Sequence, residues 1–194
     1  MVLINIFIFS IMVVGLTIKA TLAGFNSACF MIGTKILCLN KDLEEVYIPI
    51  EDLTENYIVK TYLHGYKKIK SIGKSVITNN PNDMNFCMFK LPSVDELFED
   101  LIVTGGHAIL VDELSELDIK EHLLKWPELK KIDDKYLLLA GLSDKFDKIC
   151  DNNNYEVFHI VCEDDGDENK QYGIYANGIL AESISNYNFT QFFV

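Results

Sequence analysis

Short apolar segments separated by turn residues dominate the chain from residue 29 onward. Tyr66–Ile72 alternates apolar and polar side chains, and this period of two is typical of a strand with one exposed face. Leu101–Val103 is continuously apolar, which predicts a buried strand. Further strands are predicted at Lys35–Leu39, Val46–Ile50, Asp134–Ala140 and Tyr155–Cys162. Pro49 makes Val46–Ile50 an edge strand, because proline cannot donate a hydrogen bond within a sheet.

Turn residues punctuate these strands. Asn79–Asp83 is rich in asparagine and aspartate and predicts an exposed loop. Glu163–Asn169 is interpreted as an acidic hairpin loop, since it lacks the alternating ligand spacing of a calcium loop. Asn177-Gly178 is typical of a type I′ turn and predicts a closing hairpin over Tyr172–Leu180.

The segment 112–126 follows a helical period best, and Pro127 comes directly after it. Its predicted apolar face consists of Leu114, Leu117, Ile119, Leu123, Leu124 and Trp126. The pattern as a whole therefore predicts an all-β fold with one inserted helix.

The amino terminus differs in kind, because residues 2–18 are almost wholly apolar and Lys19 is the first charge. This length fits the apolar region of a signal peptide or a short membrane anchor, although no basic residues precede it. Small residues at 21–23 would suit cleavage before Gly24. A buried first strand or the stub of a truncated upstream partner are the alternatives. We expect a leader at 1–28, one domain at 29–185 and a tail at 186–194. Residues 2–18 would direct the protein to secretion or hold it at a membrane.

Composition narrows the functional classes. A formal net charge of -12 argues against nucleic-acid binding, which depends on neutralising phosphates. The cysteine count is odd and their spacing irregular, so neither a zinc site nor a disulfide framework is predicted. The five cysteines are Cys29, Cys38, Cys87, Cys150 and Cys162. We expect no metal and no cofactor, a monomer, and at least one free thiol.

The most distinctive stretch is Thr104-Gly-Gly-His107, which follows the buried strand Leu101–Val103. Two glycines allow a tight turn or close backbone approach. The imidazole stands beside a hydroxyl, where neighbours can set its pKa and tautomer. Taken alone, the stretch favours the interpretation of His107 as a hydrogen-bonded core histidine in a β-bulge.

Four stretches together resemble the Hint family, the module shared by inteins and hedgehog autoprocessing domains, and most resemble the Hint modules of large DNA viruses and protists. Ala28-Cys29-Phe30 with Gly33-Thr34 resembles the amino-terminal motif, and Thr104-Gly-Gly-His107 is similar to the T-x-x-H motif. The remaining two stretches are Ile48–Leu53 continuing to Val59, and Phe158–Ile160 with Ala176–Leu180. The resemblance covers about residues 29–185 and implies a horseshoe of short strands.

The resemblance also implies a reaction. In this family the cysteine follows the bond that breaks, so the Cys29 thiolate would attack the Ala28 carbonyl and form a thioester. His107 would protonate the departing Cys29 nitrogen and could first take the thiol proton. Thr104 would hydrogen-bond the scissile amide. His159 stands where inteins often carry an aspartate, so it would tune Cys29 or be a structural strand histidine.

Departures from the family pattern limit the outcome. Glu182, Ser183 and Ile184 stand where inteins have His-Asn and the residue that follows, so we expect no splicing. Gly73 stands where hedgehog proteins have an aspartate, and no sterol-recognition extension follows the predicted fold. The remaining fates of the thioester are hydrolysis or capture by an external thiol or amine.

Three hypotheses follow from the sequence. The first is a single-turnover self-cleaving domain whose substrate is its own amino-terminal flank. The second is a cleavage-inactive Hint-like interaction module, and the third is a cysteine hydrolase acting on other proteins.

Overall fold

The structure, a computed structural model, describes residues 28–93 and 97–193. Within these ranges the chain forms strands β1 to β14, two α-helices, and 3₁₀ turns at Ile50–Asp52 and Met84–Phe86. The helices are α1, Glu116–Leu123, and α2, Asn186–Phe193. The strands are β1 Phe30–Met31, β2 Lys35–Leu39, β3 Glu45–Pro49, β4 Ile58–Lys60, β5 Tyr66–Thr78, β6 Met88–Leu91, β7 Leu101–Thr104, β8 Ala108–Val111, β9 Lys131–Ile132, β10 Lys135–Leu139, β11 Asp147–Lys148, β12 Asn154–Cys162, β13 Gly173–Ala176 and β14 Ile179–Glu182. The prediction of an all-β fold is confirmed.

The predicted leader lies outside the described residues except for Ala28, so all four interpretations of it stay predictions. In the part of the chain that the structure describes, no helix is both long and apolar enough to cross a membrane.

The strands form one antiparallel path with the order β11-β6-β7-β1-β12-β5-β4-β2-β13-β14-β8-β10-β9, and β3 pairs with β2. Strand β5 links the two halves of this path, because its first residues pair with β4 and the rest with β12. Strand β3 pairs with β2 alone, which confirms the predicted edge strand. Its terminal Pro49 therefore interrupts no central hydrogen bonds.

Strand β1 has only two residues, yet it lies between β7 and β12 in one half of the sheet. Phe30 pairs with Val103 on one side and with Phe158 on the other. Its side chain is 1% exposed and belongs to the main hydrophobic core, which fixes the register of this short strand.

Other strand predictions are confirmed with small shifts in their ends. Strand β2 has the predicted bounds, and β5 continues six residues beyond Ile72, from the predicted end to Thr78. Asn177 and Gly178 both have positive φ, at 48° and 102°, between the paired strands β13 and β14. These angles are those of a type I′ turn, so the closing hairpin is also confirmed.

The inserted helix is shorter than predicted, and its predicted apolar face is wrong. Ser115 caps α1 in a capping box with Asp118, which starts the helix at Glu116 instead of near residue 112. Leu117, Leu123 and Leu124 are 47%, 48% and 69% exposed. The buried positions are Asp118 and His122. Polar partners make this possible, because Ser115 bonds the Asp118 carboxylate and the Lys130 amide donates to His122 Nε2.

Two predicted loops also need correction. Asn79 is 1% exposed, and its side-chain amide donates to the Ile149 and Asp151 carbonyls while its oxygen accepts from the Met88 amide. It therefore fixes the start of β6 and is not part of an exposed loop. The acidic segment Glu163–Asn169 is not a hairpin loop, because the strands it joins, β12 and β13, are not paired with each other.

The predicted tail at 186–194 contains helix α2, which packs against β12. The Ser185 hydroxyl accepts a hydrogen bond from the Asn188 amide and so caps the helix. That serine was the sequence signal for a helix start that the prediction of a tail overlooked.

Candidate active site

Strand register places Cys29 between two residues that are distant in sequence. Because Phe30 pairs with Val103 and Phe158, the preceding Cys29 stands opposite Thr104 and His159. The Cys29 amide donates to Thr104 Oγ1 at 2.9 Å, and the Thr104 amide donates to the Cys29 carbonyl at 3.1 Å. The Ala28–Cys29 amide is thus held by the hydroxyl that the sequence indicated for it.

The sulfur of Cys29 lies against the other neighbouring strand. Its Sγ is 2.8 Å from Nε2 of His159, which is in the middle of β12. Both side chains are buried, with exposed fractions of 3%. His159 is therefore in direct contact with the thiol, as the first of its two sequence interpretations required.

A tight turn brings His107 back toward β1. The His107 amide donates to the Thr104 carbonyl at 3.0 Å, and the Gly105 amide donates to the Cys87 carbonyl. A Cβ at Gly105 would lie 2.4 Å from the Met84 carbonyl oxygen, so only glycine fits this approach. The close backbone contact that the two glycines suggested is confirmed at Gly105.

The His107 ring is 1% exposed and packs edge-on against Phe30, with ring centroids 4.1 Å apart. Neither ring nitrogen has a well-formed hydrogen bond with the described residues. The Ala28 backbone lies close enough to raise the pKa of both His107 and His159 through a hydrogen bond, so both rings are near the Ala28 carbonyl group. The interpretation of His107 as a hydrogen-bonded core histidine therefore stays a prediction.

Burial sets the charge state of this cluster. Desolvation raises the pKa of the Cys29 thiol to about 12, against a smaller lowering by the Thr104 side chain. Desolvation also lowers the pKa of His107 to about 3 and that of His159 to about 4. At neutral pH the resting site is therefore a thiol in contact with His159 Nε2 and beside two neutral imidazoles.

The segment that the sequence resemblance aligned with an intein's carboxyl end, residues 182–184, is built into the sheet. The Glu182 carboxylate accepts from the Ala108 amide at 2.8 Å, and the Ser183 hydroxyl accepts from the Tyr172 amide. The Ile184 amide donates to the Ile160 carbonyl, and the chain then continues into α2. No asparagine stands here to cyclise.

The sequence did not indicate that Phe30 would hold the His107 ring, because an apolar residue after a cysteine carries no specific signal. Within residues 28–93 and 97–193, no group of three or more histidine, cysteine, aspartate or glutamate side chains could hold a metal ion. Four of the described cysteines are buried and Cys150 is exposed, and all five are free thiols.

Comparisons with known proteins give a distant likeness. No protein-family model and no curated protein matches the chain. Among solved structures it is similar to the crystal structure of the VidaL intein (selenomethionine variant), with 11% sequence identity and a TM-score of 0.43. The alignment covers 82% of this chain and 99% of that chain. A likeness this distant says nothing about individual residues, and the resemblance to viral and protist modules stays a prediction.

Replacing Thr104 by valine tests how the scissile amide is held. The Cys29 amide would lose its buried acceptor, which we expect to lower the free energy of unfolding by about 1–3 kcal/mol. If the same bond orients the amide during reaction, cleavage should slow roughly 5- to 150-fold, measured by intact mass over time. Thr61→Val is the matched control, since Thr61 is also buried and bonds the Gly65 carbonyl. Equal cleavage rates in the two variants would contradict the role of Thr104.

Proposed function

We propose that this protein cleaves itself at Ala28–Cys29 by an N-to-S acyl shift and that water or an external nucleophile resolves the thioester, without splicing. The observation that carries the proposal is the placement of Cys29, with its amide on Thr104 Oγ1 and its sulfur on His159 Nε2. Two further features support it: the buried His107, and the Ala28 backbone near both imidazoles.

The first step joins Sγ of Cys29 to the carbonyl carbon of Ala28 in a five-membered ring. His159 takes the thiol proton as the S–C bond forms, because its Nε2 is in contact with the sulfur. The attack stays within one residue, so no second molecule has to be positioned. The sequence-based expectation was that His107 would accept the thiol proton, whereas the proposal gives this role to His159.

In the second step the C–N bond breaks and the Cys29 nitrogen gains a proton. The proton that His159 took from sulfur passes to His107, whose ring is close enough to His159 to sense its charge, and His107 gives a proton to the nitrogen beside the Ala28 backbone. The proton taken from sulfur is thus balanced by the proton given to nitrogen. The products are an Ala28–Sγ thioester and a free amine on Cys29.

The proposal excludes splicing because of what stands at residues 182–184. Glu182, Ser183 and Ile184 are all bonded into the sheet, and their side chains cannot cyclise as an asparagine does. The thioester must then be opened by a nucleophile that is not part of the chain.

Hydroxylamine provides the direct test, because it attacks thioesters and leaves ordinary amides intact. The full chain made by cell-free translation should lose residues 1–28 at a rate that rises with hydroxylamine, and the product should begin at Cys29. Intact mass measures the cleavage rate, and amino-terminal sequencing identifies the first residue of the product. A chain that stays whole would overturn the proposal and favour the cleavage-inactive module.

A hydrolase that acts on other proteins has less support. The Cys29 side chain is only 3% exposed and its sulfur faces His159, so an external peptide has no access to it. The same burial suits attack on the preceding carbonyl, which is part of the same backbone.

A further inference from the structure

A cavity of about 80 Å³ lies beside the proposed cleavage point. Ala28 lines it together with Gly106, Gln171 and Glu182, and His122 and Lys130 contribute from the α1 side. One water needs about 10–15 Å³ of such space, so the cavity accommodates a few waters or a similarly small nucleophile. It is far too small for a sterol.

Glu182 is the acidic group of this cavity. Because Ala181 pairs with Ile109, Glu182 stands opposite Ala108, the residue that follows His107. The carboxylate accepts from the Ala108 amide at 2.8 Å and from Gln171 Nε2 at 3.1 Å. A carboxylate has about four acceptor sites, so these two bonds orient Glu182 and leave capacity for another donor.

We propose that Glu182 is the general base that activates a water in this cavity, so that the thioester is resolved by hydrolysis. This inference rests on the acyl shift proposed above and names the nucleophile that follows it. Water gives its proton to Glu182 as its oxygen bonds to the Ala28 carbonyl carbon. The C–S bond then breaks, Sγ takes a proton, and Ala28 leaves as a carboxylate.

Burial gives Glu182 a suitable basicity. Desolvation raises its pKa to about 7, against smaller lowering by Ala108, Gln171 and Lys130. A base that titrates near the working pH combines a large ionised fraction with a useful proton affinity.

The other titratable groups near the cavity are less suited. His107 and His159 have pKa values of about 3 and about 4 and are much weaker bases. His122 accepts the Lys130 amide on Nε2, and burial lowers its pKa although the Glu128 backbone raises it. Lys130 is the other charged side chain that lines the cavity.

The experiment compares the wild-type chain with Glu182→Gln after cell-free translation, with and without hydroxylamine. Without hydroxylamine, the variant should hydrolyse at least about 100-fold more slowly, the typical minimum effect of a positioned base. With hydroxylamine, both chains should cleave at similar rates, because the acyl shift does not use Glu182. Glu163→Gln, at an exposed position, is the matched control and should behave as wild type in both arms.

The two arms separate the two proposals. Equal hydrolysis of wild type and Glu182→Gln, with hydroxylamine cleaving both, overturns the role of Glu182 and leaves the acyl shift standing. Failure of hydroxylamine to cleave the wild type overturns the acyl shift itself.

Two measurements on the wild type keep the inference testable even if Glu182→Gln fails to fold. Hydrolysis in H₂¹⁸O should place one labelled oxygen in the Ala28 carboxylate, and an unlabelled product would exclude water. The hydrolysis rate should rise with pH through about 7 and then level off, as the Glu182 carboxylate ionises. A rate that stays constant across that range would overturn the assignment.

Discussion

Cys29→Ala will leave the chain intact under every condition in which the wild type loses residues 1–28. The reason is that the proposed attack needs a sulfur or hydroxyl on the side chain of residue 29, and alanine has neither. The reaction would gain its rate from attack within that single residue. Intact-mass analysis should detect no cleaved Cys29→Ala chain, with or without hydroxylamine.

The matched control is Cys162→Ala. Cys162 is as buried as Cys29, with exposed fractions of 2% and 3%, and desolvation raises its pKa to about 12 as well. It therefore matches Cys29 in burial and in its raised pKa but does not follow Ala28. We expect this variant to cleave like the wild type, with only a loss of stability from the missing sulfur. Cleavage of Cys29→Ala at residue 28 would mean that another group performs the reaction.

His107→Leu should slow thioester formation by about 10²–10⁴-fold, the usual contribution of a positioned acid or base. Leucine keeps the apolar contact with Phe30 and removes only the ring nitrogens that would protonate the leaving amine. The rate of cleavage by hydroxylamine, followed by intact mass, measures thioester formation, because hydroxylamine cleaves the chain only where a thioester has formed.

Stability distinguishes a chemical role for His107 from a structural one. The contact of the ring with the Ala28 backbone falls short of a well-formed hydrogen bond, so leucine removes poorly paired polar atoms from the core. Denaturant unfolding should therefore show no loss of stability, or a gain, while cleavage is lost. His64→Leu, at an exposed histidine that bonds Asp133, is the control and should retain cleavage. A large destabilisation of His107→Leu with normal cleavage would assign the histidine to structure.

In the proposed reaction, the position of the two buried histidines on the sheet decides which proton transfer each performs. His159 is on β12 and contacts the sulfur, whereas His107 follows β7 and lies near the Ala28 backbone. Each is neutral at pH 7 because burial lowers its pKa. A resting thiol beside neutral bases avoids the cost of holding a buried thiolate before the reaction begins.

Local sequence signals predicted the elements that depend on nearby residues. Asn177-Gly178 indicated its turn correctly, because positive φ at both positions is a property of those two residues. The helix in the inserted segment was also predicted from its own residues, the helical period and Pro127, but the residues it buries were not predicted. Asp118 and His122 are buried beside polar partners, Ser115 and the Lys130 amide, and partners of this kind are not visible in hydrophobic periodicity.

The sequence alone determined an all-β chain with a cysteine after Ala28, a T-x-x-H turn, and Glu182, Ser183 and Ile184 after the Asn177-Gly178 hairpin. The tertiary structure alone decided that His159 contacts the sulfur, that the nitrogens of His107 are left without well-formed bonds, and that Glu182 shares a cavity with Ala28. The physical reason is that strand pairing brings together residues as far apart as Cys29 and His159, 130 positions in sequence. Burial then sets their pKa values, and burial depends on the packing of the whole sheet.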